Sequence, residues 1–147
     1  MQYWLCVLRK ENFDINASKN FSCIGFSKRF LKSAMEINIG DKVVIYVASK
    51  ISKIAGIVEI NSDYYESYDW VWDDVFPIRL KTKPFIILEN DKFIDIRILI
   101  NKLSFIRNKK AWRYYFRHSL KKIDFKDYKL IEQYLLKRRL SLPSKKY

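Results

Sequence analysis

The chain has few of the residues that most often mark chemistry or sharp turns: three glycines, three prolines, two cysteines and one histidine in 147 residues. Cys6 and Cys23 are too few for a disulfide framework and too far apart for a CxxC redox motif. Each is expected to be a buried, reduced thiol. Together with His118 they supply at most three soft or imidazole ligands, fewer than a structural zinc site needs. No metal is expected. The sequence contains no P-loop, no GxGxxG and no HExxH, and nothing in it calls for a cofactor. No apolar run approaches the roughly 18 residues needed to span a bilayer. The opening "MQYWLCVLRK" lacks the order of a signal peptide and reads as a strand, so the expected compartment is the cytoplasm.

Apolar residues are abundant. They make up 49% of the chain and aromatics 16%, enough for a packed globule. The length suits one domain, expected over 1–140, followed by a mobile basic tail at 141–147. The net charge is +13, and it is unevenly placed. Residues 1–74 hold 9 Lys/Arg against 10 Asp/Glu, a balance of −1, whereas 75–147 hold 20 against 6, a balance of +14. A field of that sign on one half attracts polyanions, nucleic acid first and anionic lipid second.

Element signals are clear in places. "YWLCVLR" reads as a first strand, and "SKRFLKSAME" as a helix with Ser27 at its N-cap. "DKVVIYVA" and "SKIAGIVEI" read as two strands joined in a hairpin. In "VFPIRLKTKP", Phe76, Ile78 and Leu80 alternate with Arg79, Lys81 and Lys83, and Pro77 and Pro84 suggest strand ends or an edge. The sheet continues through "PFIIL". Ile96, Leu99, Ile100 and Leu103 are spaced for an amphipathic helix behind Asp95. Trp112, Tyr115 and Phe116 suggest another helical face. A last helix starts near Asp124 and ends on Lys137, Arg138 and Arg139, which suit its dipole. Strands in a hairpin-like run with helices collected late indicate an α+β fold, a curled mixed sheet or small barrel with flanking helices.

Catalysis has little support here. His118, in "YYFRHSLKK", has no specifiable Ser, Cys or Asp partner and reads as a surface or half-buried residue. Asp73 and Asp74 are adjacent, and adjacent residues on a strand point to opposite faces. Binding is better supported. In "IGFSKRF" a glycine loop leads into a helix whose first turn holds Lys28 and Arg29, where a bound phosphate would offset the unfavourable dipole. The run "RNKKAWRYYFRHSLKK" interleaves cations with four aromatics, a composition found in nucleic-acid grooves. With its aromatics at helical spacing and turned to the core, Arg107, Lys109, Lys110 and Arg113 remain as the contact set. The segment "YDWVWDD" is the one acidic, tryptophan-rich patch. If extended, it places Tyr68, Trp70 and Trp72 on one face, so that both tryptophans share one fate.

The elements "YWLCVLRKENF", "IGFSKR", "INIGDKVVIYV", "KIAGIVEINSDYY" and "NKKAW" occur in the order and spacing of EVE-domain proteins, members of the PUA-like superfamily. The resemblance runs from about Met1 to Leu136. It implies a PUA-like fold without catalytic activity, similar to the YTH domains that read a methylated adenine. Members of the EVE group read modified bases, chiefly modified cytosines in DNA, with RNA also proposed. By that likeness a base pocket would be lined by Lys10 and Asn12, by Ile24, Gly25, Phe26 and Ser27, by Tyr46, and by Trp70 and Trp72. Two departures are visible. Ile24 stands where the family commonly has Trp, leaving an aliphatic wall, and Tyr65-Glu66-Ser67 replaces a Tyr-x-Asp.

The function expected is therefore a non-enzymatic domain that binds DNA or RNA and reads a base, modified or not, in an aromatic pocket. Lys28, Arg29, Arg107, Lys109, Lys110 and Arg113 would grip the backbone. A base-independent RNA or tRNA binder using the basic half alone stays open, as does a small RNA-processing enzyme. Neither a membrane nor a metal is an expected partner, and the oligomeric state is not specified.

Overall fold

A computed structural model describes residues 1–141. In chain order the elements are β1 (Tyr3–Leu8), α1 (Lys10–Ser18), β2 (Cys23–Phe26), α2 (Leu31–Glu36), β3 (Lys42–Val47), β4 (Lys53–Ile60), β5 (Tyr65–Glu66), β6 (Ile78–Ile87), β7 (Ile94–Asp95), β8 (Leu120–Ile123) and α3 (Phe125–Leu140). The strands form one mixed sheet in the order β2-β6-β4-β3-β1-β8, with β5 beside β6 and β7 beside β4. Among the described residues only β1 and β3 pair in parallel; every other pairing is antiparallel. The sheet curls into a half-barrel flanked by a few helices, the α+β arrangement expected from the sequence. No helix among the described residues is long and apolar enough to cross a membrane.

Burial explains the strand positions. All six residues of "KVVIYV" are buried, as a central strand covered on both faces requires. β6 is an inner strand, not an edge, although Pro84 lies within it. The register against β4 shifts at Ile57/Val58, opposite Pro84, and such an irregularity accommodates a residue with no N–H. There β4 and β6 come very close: a Cβ on Gly56 would lie 2.3 Å from the Ile86 carbonyl oxygen. Cys6 is buried and Cys23 half-buried, both as free thiols.

Three further expectations are corrected. The helix read over 95–103 is a short 3-10 turn, Ile96–Ile98, with the Asp95 carboxylate at its start accepting from Arg97 N (2.9 Å). Leu99, Ile100 and Leu103 are buried as their spacing implied, but on turns. The helix after Gly25 opens as a 3-10 turn at Lys28–Phe30, and the Ser27 side chain makes no cap hydrogen bond. Arg79 does not face outward with Lys81 and Lys83: it is buried, while those two are exposed. The start of α3 agrees with the sequence reading, with Asp124 accepting from Asp127 N at 2.8 Å. Of the anticipated tail only Ser141 is described; 142–147 lie outside the described residues.

Buried carboxylates tie the loops to this frame. Asp41, 1% exposed, accepts hydrogen bonds from Gln2 N (3.0 Å), Asn38 N (2.9 Å) and the Trp4 indole (3.1 Å). Asp41→Ala strands the buried Trp4 indole and two partly buried backbone N–H groups, and a loss of about 3 kcal/mol is expected. Urea unfolding checks this; a midpoint matching wild type would show that the three donors find other partners.

Candidate nucleic-acid interface

The end of β1, the first turns of α1, β2 and the loop before β6 enclose a cavity of about 110 Å3. An apolar cavity of about 150 Å3 is known to admit benzene; this one is smaller, with room for one small ring at most. Trp72 and Phe76 come from the loop, Phe26 and Gly25 from β2, and Asn12 and Asn16 from α1. Val7, Leu8, Arg9 and Ser119 complete the lining. The six-membered ring of the Trp72 indole packs against the backbone at Gly25, where a Cβ would stand 2.4 Å from it. Only glycine permits that approach.

Polar groups hold the indole in place. Trp72 Nε1 donates to Asn16 Oδ1 at 2.7 Å. One turn earlier on α1, Asn12 clasps Asp73: its Nδ2 donates to Asp73 Oδ1 (2.8 Å) and its Oδ1 accepts from Asp73 N (3.1 Å). Arg9 takes the other carboxylate oxygen at 2.7 Å. Both oxygens of Asp73 are thus engaged within the protein. With its oxygen committed to Trp72, Asn16 keeps its amide N–H groups as the donors able to meet a ring edge.

Arg79 supports the loop from below. Its guanidinium lies over the Trp72 ring at 5.1 Å. It donates to the carbonyls of Phe76 (3.1 Å), Val75 (2.8 Å) and Asp69, and to Ser67 Oγ (3.0 Å). No carboxylate lies in ion-pair range of it among the described residues. A cation satisfied by carbonyls imposes a curved path on 67–77, and Phe76 is carried to a φ of +45°. The segment is therefore not extended, and the two tryptophans do not share one fate. Trp72 is 7% exposed; Trp70 is 70% exposed.

The residues anticipated for a base pocket fall into several places. Asn12, Gly25, Phe26 and Trp72 meet in the cavity. Ile24 is buried in the core, and Lys10 pairs with Asp14 on the outer side of α1. Ser27 follows the end of β2. Tyr46 lines a different recess, stacked on Phe116 at 4.2 Å. Burial raises the pKa of its phenol. Asn16, Arg9 and Phe76 were not anticipated as pocket residues; the signal available was an asparagine pair four residues apart, on a helix whose buried polar positions hid its period.

The anticipated backbone contacts are also spread out. Lys28 is exposed, 5.4 Å from the Tyr68 ring, and the Tyr68 hydroxyl raises its pKa. Arg29 reaches His118 Nδ1 at 3.4 Å, and His118 is on the surface as expected. Arg107 and Lys110 are exposed, whereas Lys109 donates to the Leu103 carbonyl (2.9 Å). Arg113 lies on the Trp112 indole at 4.3 Å. Trp112 and Phe116 are buried and Tyr115 half-buried, the core placement inferred from their spacing.

The family model for the EVE domain matches residues 2–134. The chain is an EVE-domain protein. A UPF0310 protein of Pyrococcus horikoshii is 33% identical over 151 residues, spanning 92% of this chain and all of the relative. Among solved structures, the human THYN1 protein in complex with 5-methylcytosine-containing DNA superposes with a TM-score of 0.66 at 14% identity, covering 97% of this chain and 100% of that one. The YTH domain of the Zygosaccharomyces rouxii MRB1 protein, in complex with N6-methyladenosine RNA, gives 0.64 at 12% identity, covering 90% and 86%. At such identities the likeness establishes the fold alone. That fold is the PUA-like one, and the cavity described above is where this EVE domain gathers its first helix, second strand and tryptophan loop.

Proposed function

We propose that this EVE domain binds nucleic acid without cleaving it and receives one base ring, modified or not, in the cavity walled by Trp72. The observation that carries this reading is the cavity itself: one small ring in size, flanked by an indole and a phenyl ring, and edged by amide groups. A base stacked on an indole gains about 1–3 kcal/mol and must leave its own stack to do so. Asn16 supplies hydrogen-bond donors to the ring edge, while Asp73, held by Asn12 and Arg9, keeps α1 and the loop together. The exposed cations Lys28, Arg29, Arg107, Lys110 and Arg113 supply the sequence-independent grip. The two similar folds solved with a methylated base in DNA or RNA support the choice of ligand class.

The test is a binding panel of DNA and RNA oligonucleotides carrying unmodified and methylated cytosine and adenine. One modified base is expected to bind more tightly than its parent, with affinity falling as salt rises. Equal affinity for every member would leave only the charged face as the binding surface. Cleavage of any strand by the pure protein would overturn the non-enzymatic reading.

A further inference from the structure

A second, larger recess of about 420 Å3 opens beside the β3–β4 hairpin and shares no lining residue with the Trp72 cavity. Its floor is the stacked pair Tyr46 and Phe116. Three cations from three distant parts of the chain line it: Lys50 from the hairpin, Arg97 from the turn after β7, and Arg113 from the 3-10 helix at Trp112–Phe116. No carboxylate lines it. Arg97 shares Asp95 at 3.3 Å, but Lys50 and Arg113 have no ion-pair partner among the described residues. Arg113 is held instead by the face of Trp112. Like charges gathered in one recess repel, and an anion between them reverses the sign.

The hairpin adds a second observation. Ser49 and Ser52, both in the recess wall, have φ values of +64° and +49°. Such values favour glycine, and non-glycine residues held there gather at functional sites. The Ser52 hydroxyl donates to the Ser49 carbonyl at 2.6 Å, which steadies the loop. The volume lies within the range of about 300–1,000 Å3 typical of small-molecule sites, more than a bare phosphate needs.

We propose that this recess binds a nucleoside phosphomonoester, its dianionic phosphate among Lys50, Arg97 and Arg113 and its nucleoside over the aromatic floor. Guanidinium forks match phosphate oxygens in geometry as well as charge. The ligand is either a free mononucleotide or the phosphorylated 5′ end of a strand. Titrating the full chain with cytidine 5′-monophosphate and, separately, cytidine, followed by amide NMR shifts, tests it. The nucleotide is expected to saturate, shifting amides across the Ser49–Ser52 loop and at Arg97 and Arg113, with cytidine at least about tenfold weaker. Arg113→Gln, a change at an exposed position, is expected to weaken the nucleotide by about tenfold. Oligonucleotides with and without a 5′-phosphate separate the two sources: tighter binding of the phosphorylated strand assigns the strand end, and equal binding assigns the free nucleotide. Equal affinity for nucleotide and nucleoside, wild-type affinity in Arg113→Gln, or shifts confined to the Trp72 cavity would each overturn the proposal.

Discussion

Trp72→Ala is expected to cost about 3–5 kcal/mol of stability, whereas Trp70→Ala, two residues away, should stay within about 0.5 kcal/mol of wild type. The indole of Trp72 is buried between Gly25, Phe76 and the Arg79 guanidinium, and its removal leaves Asn16 Oδ1 without its donor. Trp70 projects into solvent. Urea unfolding separates the two. Binding then asks a different question: Trp72→Ala should erase discrimination between modified and unmodified bases by removing the stacking wall, worth about 1–3 kcal/mol. Gly25→Ala supplies a control that deletes nothing. Its methyl would drive the indole from the β2 backbone into the cavity, so base discrimination should fall although every polar group survives. Undiminished discrimination in both variants would place the base elsewhere.

Arg79→Met is expected to cost about 3 kcal/mol and to loosen residues 67–77 as a unit. Methionine keeps much of the apolar stem but none of the donors. The carbonyls of Asp69, Val75 and Phe76 then lose the one group that gathers them. Arg79→Lys should recover only part of the loss, because an ammonium cannot match the planar fork that reaches carbonyls and the Ser67 hydroxyl together. Hydrogen exchange reads this directly: amides of the loop should exchange faster in Arg79→Met while those of β3 and β4 hardly change. A uniform change across the sheet would mean that Arg79 acts on the core rather than on the loop.

Strands β1, β3, β4 and β6 and helix α3 were legible because their patterns are local: apolar runs, alternation, and an aspartate ahead of a helix. Helix α1 was not, since Asn12 and Asn16 occupy its buried face and break the apolar period. The short strands β2, β5, β7 and β8 were missed for another reason. Two to four residues carry too little pattern, and each exists because a partner strand lies alongside. For residues 95–103 the spacing identified the buried side chains correctly but not the backbone that buries them. Turns can face the core as well as a helix does.

The sequence by itself determined the class of molecule: a packed α+β domain with a strongly basic second half and a family likeness carried by collinear motifs. It also marked the tryptophan loop as a place to test. Only the tertiary structure decided what each residue there does. Alternation assigned Trp70 and Trp72 the same face, but alternation holds only for extended backbone, and a buried guanidinium bends this segment around its carbonyls. The fate of Trp72 rests on Asn16 and Gly25, that of Tyr46 on Phe116. Those partners lie far away along the chain, and no local pattern encodes contacts that form only when the sheet curls.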